Sequence, residues 1–431
     1  MTKLFNLLRT PRTFVCASVL LLLTFLLCQP APGSLAGLAF LFASPALAQV
    51  QISTSTPGVI RVVNGSLQKL PPRNIGIFFN KMRAGKAVTV AYLGGSLTAA
   101  DANKISYRSQ VTNWLRQNFK DAQINELNAG VAGTGISYGV MRVRRDVIAY
   151  KPDLVFIEFA VPESNDAPEA EEAVKKALEG MLRQMLIVPS PPQIVLLHTT
   201  NPKRAARSEW LDAIAAHYQV PTLNLQTEIW KQIEAGTLKA NVLWPNPTAK
   251  DAAFTSDEGH KTYASLITAY LEEQAKLAPS PLLKVLPNPL VSDEMNYGEL
   301  KAIAEFKHDP AWRGEANNDR ALPSLLLSAD KANAQVDIYF EGSVVGLSYR
   351  TGPDGGTFEC LLDGKPAPAP LNRIDAYDTS AHIQTRLIPG GLGMNEHKLT
   401  IRVLGEKNAK SSGNAVRLGS LLVGGQRPER L

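Results

Sequence analysis

The sequence predicts an α/β domain built on a parallel sheet, followed by an antiparallel β-sandwich. Three observations predict it. From about residue 76 to 275, short β-forming runs alternate with segments whose apolar residues recur at helical spacing. That alternation is the pattern of a parallel sheet covered by helices on both faces. Between Ala278 and Pro289 the prolines at 279, 281, 287 and 289 mark a junction. Beyond it the runs are short, of period two, and broken by Gly, Pro and Asp, as in a sandwich.

The elements follow in order. Residues 1–48 read as an export signal. Lys3, Arg9 and Arg12 form a positive start, Phe14–Leu27 and Leu35–Phe42 are apolar runs, and Ala46-Leu47-Ala48 is a small-residue cleavage site before Gln49. Cleavage after Ala48 leaves 383 of 431 residues. The alternative is an uncleaved membrane anchor, because the apolar region is long. Either way the expected location is secreted, periplasmic or in the cell envelope. Residues 49–75, rich in Ser, Thr, Gly and Pro, read as a leader.

The first domain is expected over 76–275. Its β runs are Val88–Leu93, Gln123–Leu127, Leu154–Ala160, Gln193–His198 and Pro221–Leu225. Helical stripes are carried by Val111, Trp114, Leu115 and Phe119, by Val174, Ala177, Leu178, Met181, Leu182 and Met185, and by Trp210, Leu211, Ile214 and Tyr218. The linker is expected over 276–289 and the sandwich over 290–428. The sandwich strands expected are Val336–Phe340, Val344–Tyr349, Thr357–Leu362, His382–Leu387, Lys398–Leu404 and Ala415–Val423. Lys398–Val403 alternates strictly and should bury one face.

Charge and cysteine bound the function. The chain has 45 Lys and Arg against 39 Asp and Glu; losing the three basic residues of the signal leaves a net +3. With no basic run interleaved with aromatics, this balance argues against nucleic acid as a partner. Cys16 and Cys28 fall in the signal, so only Cys360 survives, in a strand pattern that suits a small buried residue. No disulfide framework, metal site or cofactor is expected. Glu171 and Glu172 read as solvated helix residues.

The chemistry is written in four segments. In Val88–Thr98 a β run stops in Gly94-Gly95 and presents Ser96. A strand ending in glycines can turn sharply and leave a hydroxyl uncovered at the carboxyl end of the sheet, where α/β sites lie. Asn128-Ala129-Gly130-Val131-Ala132-Gly133-Thr134 follows the second strand, and Lys151–Val161 leads through the third to Asn165. Asp257-Glu258-Gly259-His260 has the spacing with which a carboxylate orients an imidazole.

Together these segments, over about residues 85–275, resemble the GDSL/SGNH hydrolases, serine esterases on a flavodoxin-like sheet of order 2-1-3-4-5. The likeness is to a subgroup with a Gly-Gly-Ser block and a trailing β-sandwich. The resemblance implies that Ser96 is the nucleophile and that Ser96, Gly133 and Asn165 hold the oxyanion. Three residues, Pro162, Glu163 and Ser164, separate Ala160-Val161 from Asn165-Asp166, which the family has adjacent. Pro162 has no N–H to offer, so either a short insertion carries Asn165 into place or the donor is lost. Two registers remain for the base. His260 with Asp257 behind it has the right spacing; aligning Gly259-His260 with the family's final Gly-His instead puts Asp251 on its Asp and Phe254 on its His. Asp257 would then be the N-cap of the last helix. His198, closing the fourth strand, is the substitute base; His217 reads as a helix-end residue, and His308, His382 and His397 lie outside this domain. By the same resemblance the partner is an acylated, O-acetylated carbohydrate or another small ester, with the membrane touched only by an uncleaved N-terminus. The alternative function is an impaired domain that binds glycan or assembles in the envelope.

Overall fold

The computed structural model describes residues 59–63, 66–70, 73–100, 105–161, 170–204, 207–246, 255–283 and 285–426. The expected signal segment, Asn165, Asp251, Pro162 and Phe254 lie outside the described residues. Among the described residues no helix is long and apolar enough to cross a membrane.

Five parallel strands form the first sheet: β1 (Val88–Gly94), β2 (Ile124–Gly130), β3 (Leu154–Glu158), β4 (Gln193–Leu197) and β5 (Thr222–Leu223). Their order is β2-β1-β3-β4-β5, the expected 2-1-3-4-5. Strand β2 runs three residues beyond the expected Leu127 and carries Asn128 into the sheet. β5 is shorter than expected because Asn224 leaves it to cap the next helix, accepting the Thr227 N–H at 3.0 Å.

Among the described residues, the longer helices that flank the sheet are α1 (Gly76–Arg83), α2 (Tyr107–Asn118), α3 (Ile136–Asp146), α4 (Glu171–Leu186), α5 (Ser208–His217), α6 (Leu225–Glu234) and α7 (Asp257–Ala275). Side chains of β1 alternate between two cores. Ala91 and Leu93 pack with α3, α4 and α5, whereas Val88, Val90 and Tyr92 pack with α1, α2, α6 and α7. The whole α4 stripe, Val174 to Met185, is buried, as its spacing requires. Ser256, not Asp257, caps α7: its Oγ accepts the Gly259 N–H at 3.1 Å, and Asp257 becomes the first helical residue.

Val59–Val63 and Ser66–Leu70, expected as leader, pair antiparallel. After α7 the chain is stitched back onto the first domain. Asn74 Nδ2 donates to Ala278 O at 2.7 Å, and the buried Glu179 accepts the N–H groups of Val291 and Ser292 at 2.7 and 2.8 Å.

The second domain has two antiparallel sheets. One contains β6 (Tyr297–Ala302), β7 (Arg313–Ala316), β8 (Leu325–Ala329), β10 (Val344–Thr351), β14 (His382–Ile388) and β16 (Val416–Gly425). The other contains β9 (Gln335–Glu341), β11 (Thr357–Leu362), β12 (Lys365–Pro366), β13 (Arg373–Asp375) and β15 (Glu396–Val403). Val336, Ile338, Leu399, Ile401 and the free Cys360 of the second sheet meet Leu327, Val345, Leu347, Leu418 and Leu421 of the first in one core. The outer face of the six-stranded sheet is covered too. Leu326, Val344, Ile383 and Leu422 join the core of the first domain, against α3 and α4.

Candidate active site

Strand β1 delivers Ser96 to the carboxyl end of the sheet. Ser96 opens a one-turn helix, Ser96–Ala99, and is buried. Gly133 follows β2, and its N–H donates to Ser96 Oγ at 3.2 Å. Gly133 holds φ at +73°, a conformation that costs an L side chain roughly 1–2 kcal/mol. Glycine there lets the peptide turn its N–H toward the hydroxyl. The structure thus brings together the two residues expected to be nucleophile and oxyanion donor. An amide already aimed at the serine oxygen is preorganised for the negative oxygen that forms beside it in acyl transfer.

The turn is held from several sides. Arg142, fully buried on α3, donates from Nη2 to Gly94 O at 3.0 Å and from Nη1 to Ala129 O at 2.6 Å. One guanidinium therefore ties the strand that leads to Ser96 to the strand that leads to Gly133. Arg108 donates to Thr98 O and, at 3.2 Å, to Ala99 O; Asn128 Nδ2 also reaches Ala99 O, at 3.1 Å. Beneath the turn, Thr98 Oγ1 donates to the buried Glu158 Oε2 at 3.0 Å, and Thr199 Oγ1 donates to Oε1 at 2.7 Å.

The base is arranged otherwise than expected. His260 is buried at the fourth position of α7, its ring stacked on Tyr107 at 6.2 Å. Its Nδ1 accepts the Tyr107 N–H at 3.3 Å. A neutral imidazole that accepts at Nδ1 carries its proton on Nε2. A triad needs the reverse, Nδ1–H held by a carboxylate and Nε2 open to the serine. Asp257 does not supply that carboxylate: it is exposed, and no hydrogen bond joins it to His260 among the described residues. The reason is its place as first residue of a helix capped by Ser256, which turns it to solvent.

His198 follows β4 and is buried. Its Nδ1 lies 3.6 Å from Asp212 Oδ1, and neither ring nitrogen has a hydrogen-bond partner among the described residues. Burial lowers its pKa, against the pull of Asp212, so the ring is neutral near pH 7. Two strand spacings, about 10 Å, separate β4 from β1 across the sheet. His217 ends α5 and bonds Asn288 O through Nε2 at 2.8 Å.

Residues 92–275 match the model of the GDSL-like Lipase/Acylhydrolase family. The match marks a GDSL-like, SGNH-type domain in this part of the chain. The GDSL-like domain and its sandwich also match, as one unit, a crystal structure of a two-domain esterase (CEX) active on acetylated mannans, co-crystallised with mannopentaose. The TM-score is 0.72 at 22% identity, covering 83% of this chain and 97% of that one. A second structure of such a two-domain esterase gives 0.69 at 24% identity, over 82% and 95%. No curated protein matches the chain by sequence.

Within the GDSL-like domain, sequence reasoning assigned no role to Thr98, Arg108, Arg142 or Glu158. Glu158 carried a signal, a lone acid inside the apolar run Leu154–Ala160. A charge in a strand buried on both faces needs partners, and these are Thr98 on the turn after β1 and Thr199 after β4.

Proposed function

We propose that the protein is an exported ester hydrolase that removes acyl groups, acetyl foremost, from a carbohydrate. The observation that carries this reading is the Gly133 N–H aimed at Ser96 Oγ in a GDSL-like domain. The carbohydrate is supported by the shared two-domain fold with an esterase active on acetylated mannans. Export is supported by the signal-like residues 1–48. In the reaction Ser96 Oγ attacks the acyl carbon and passes its proton to an imidazole. The Gly133 and Ser96 N–H groups, with Asn165, meet the oxyanion. The sugar oxygen leaves with that proton, and water then releases the acid from Ser96. His260 is the base in this reading, with its ring turned to free Nε2; His198 is the substitute.

A second reading, an impaired domain that binds glycan, is favoured by one observation: His260 Nδ1 accepts from the Tyr107 N–H while Asp257 faces solvent. Hydrolysis of 4-nitrophenyl acetate and of acetylated mannan decides between them. We expect activity in the parent, its loss in Ser96→Ala, and a loss on the order of a hundred- to ten-thousand-fold in His260→Ala. Full activity in His260→Ala would move the base to His198. No ester hydrolysis by the parent, with retained glycan binding, would establish the second reading.

A further inference from the structure

We propose that Glu158 is a positioning residue that sets the aim of the nucleophile turn; the inference rests on Ser96 being the nucleophile. Glu158 ends β3 level with Gly94, its register partner on β1. It is buried at the edge of the sheet where the site lies, and the mechanism above makes no use of it. A buried carboxylate is costly unless its oxygens are met. Here the Thr98 and Thr199 hydroxyls meet them, at 3.0 and 2.7 Å. Because Thr98 donates to Glu158, the 2.9 Å bond between Thr98 Oγ1 and Tyr107 must run from the tyrosine O–H to the threonine oxygen. Tyr107, Thr98 and Glu158 thus form a directed chain that ends on the acid.

The chain acts on Ser96 through geometry. Ser96–Ala99 is four residues long, and one helical turn does not hold itself in water. Its orientation must come from outside. Arg108 and Asn128 grip its last carbonyls, and its backbone at Thr98 and Ala99 packs against Gly130 of β2. The tether from Thr98 to Glu158 adds a side-chain anchor from the other side of the sheet edge, and Ser96 Oγ lies two residues earlier on the same turn. Strand β1 is cut to fit the tether. A Cβ at Gly94 would lie 2.2 Å from Thr98 Oγ1 and 2.7 Å from Glu158 O, so only glycine lets the hydroxyl reach the acid. A misplacement of the attacking oxygen by about 1 Å costs on the order of a hundredfold in rate.

The test uses the mature chain with Thr98→Val, Glu158→Leu, the double variant and Thr98→Ser. Two readouts are taken: kcat and KM on 4-nitrophenyl acetate, normalised to Ser96 labelled by a fluorophosphonate, and hydrogen exchange of the 94–100 backbone. We expect Thr98→Val and Glu158→Leu each to lower kcat about ten- to a hundredfold, with KM within about twofold. The double variant should be no worse than the worse single one, because one link is broken twice. Thr98→Ser keeps the hydroxyl and should restore kcat to within about threefold. Exchange at 95–100 should quicken about tenfold in the two single variants while α4 is unchanged. Unchanged kcat with unchanged exchange, or losses that multiply in the double variant, would overturn the proposal. If the parent does not hydrolyse esters, the catalytic reading fails by itself, and exchange at 95–100 still decides whether Glu158 holds the turn. Should Glu158→Leu fail to fold, the Thr98→Val and Thr98→Ser pair decides alone.

Discussion

At the scale of single residues, the site depends on where backbone, rather than side chain, can go. Gly133 is the clearest case. Its φ of +73° aims the N–H at Ser96, and Ile383 of the second domain lies 3.7 Å from where a Cβ would stand. Space therefore exists for a methyl group, but the conformation is strained. We predict that Gly133→Ala folds with a loss of about 1–2 kcal/mol and loses on the order of a hundredfold or more in kcat. Thermal unfolding and kcat per labelled Ser96 check the two parts; an alanine variant with parental kcat would remove Gly133 from the oxyanion hole. The contrast between Ser96 and His260 shows what was legible at this scale. Gly-Gly-Ser announces its own geometry, because glycines license one turn and the serine follows it. Asp257 and His260 have the right spacing, yet spacing alone does not say which residue caps the helix. The Ser256 hydroxyl takes that place and sends Asp257 outward. Glu158 stayed silent because its partners, Thr98 on the turn after β1 and Thr199 after β4, lie far away in sequence.

At the scale of elements, α4 was readable and the six-stranded sheet was only partly so. The stripe from Val174 to Met185 has one apolar face and one period, and it is buried as read. Lys398–Val403 likewise alternates, with Leu399, Ile401 and Val403 in the sandwich core, although Thr400 on the other face is buried as well. Strand β8, Leu325–Ala329, escaped notice because it does not alternate. Leu326 faces the first domain and Leu327 the sandwich interior, so both faces are apolar. β16 follows the same rule with Leu422 and Leu421. The six-stranded sheet thus contributes apolar side chains to the cores of both domains. This yields a prediction. Leu422→Ala should cost about 2–5 kcal/mol, although it lies outside the sandwich core. Tyr339→Ala, on the 59% exposed side of β9, should stay within about 0.5 kcal/mol. Urea unfolding of the two variants compares them. A Leu422→Ala protein as stable as Tyr339→Ala would mean that the first domain does not cover this face.

At the scale of the whole molecule, carboxylates join the two domains, which makes the joint sensitive to acid. Glu179 on α4 is fully buried and accepts N–H groups of the junction at Val291 and Ser292 together with the Tyr218 hydroxyl. Glu294, just beyond, accepts Lys176 from α4 at 3.0 Å and the N–H of Gly391 from the second domain at 2.8 Å. Burial pushes the Glu294 carboxyl up, but the Gly391 N–H and the Lys176 ammonium outweigh it and leave the group below the usual carboxylate range. The sign follows from linkage. On acidification the unfolded chain takes the proton first, at about pH 4.3, while the folded chain still resists. The stability Glu294 contributes is present above that pH and is lost as the pH falls through the lower folded value. Glu294→Gln cannot titrate and should be less stable than the parent at neutral pH. Its unfolding temperature should fall less steeply between about pH 5 and 3, so that the two curves converge in acid. Calorimetric scans of both proteins across that range provide the measurement. Parallel curves would show that the joint takes nothing from the charge of Glu294. Curves that diverge in acid would mean that its carboxyl sits above the ordinary range and that burial outweighs Lys176 and Gly391.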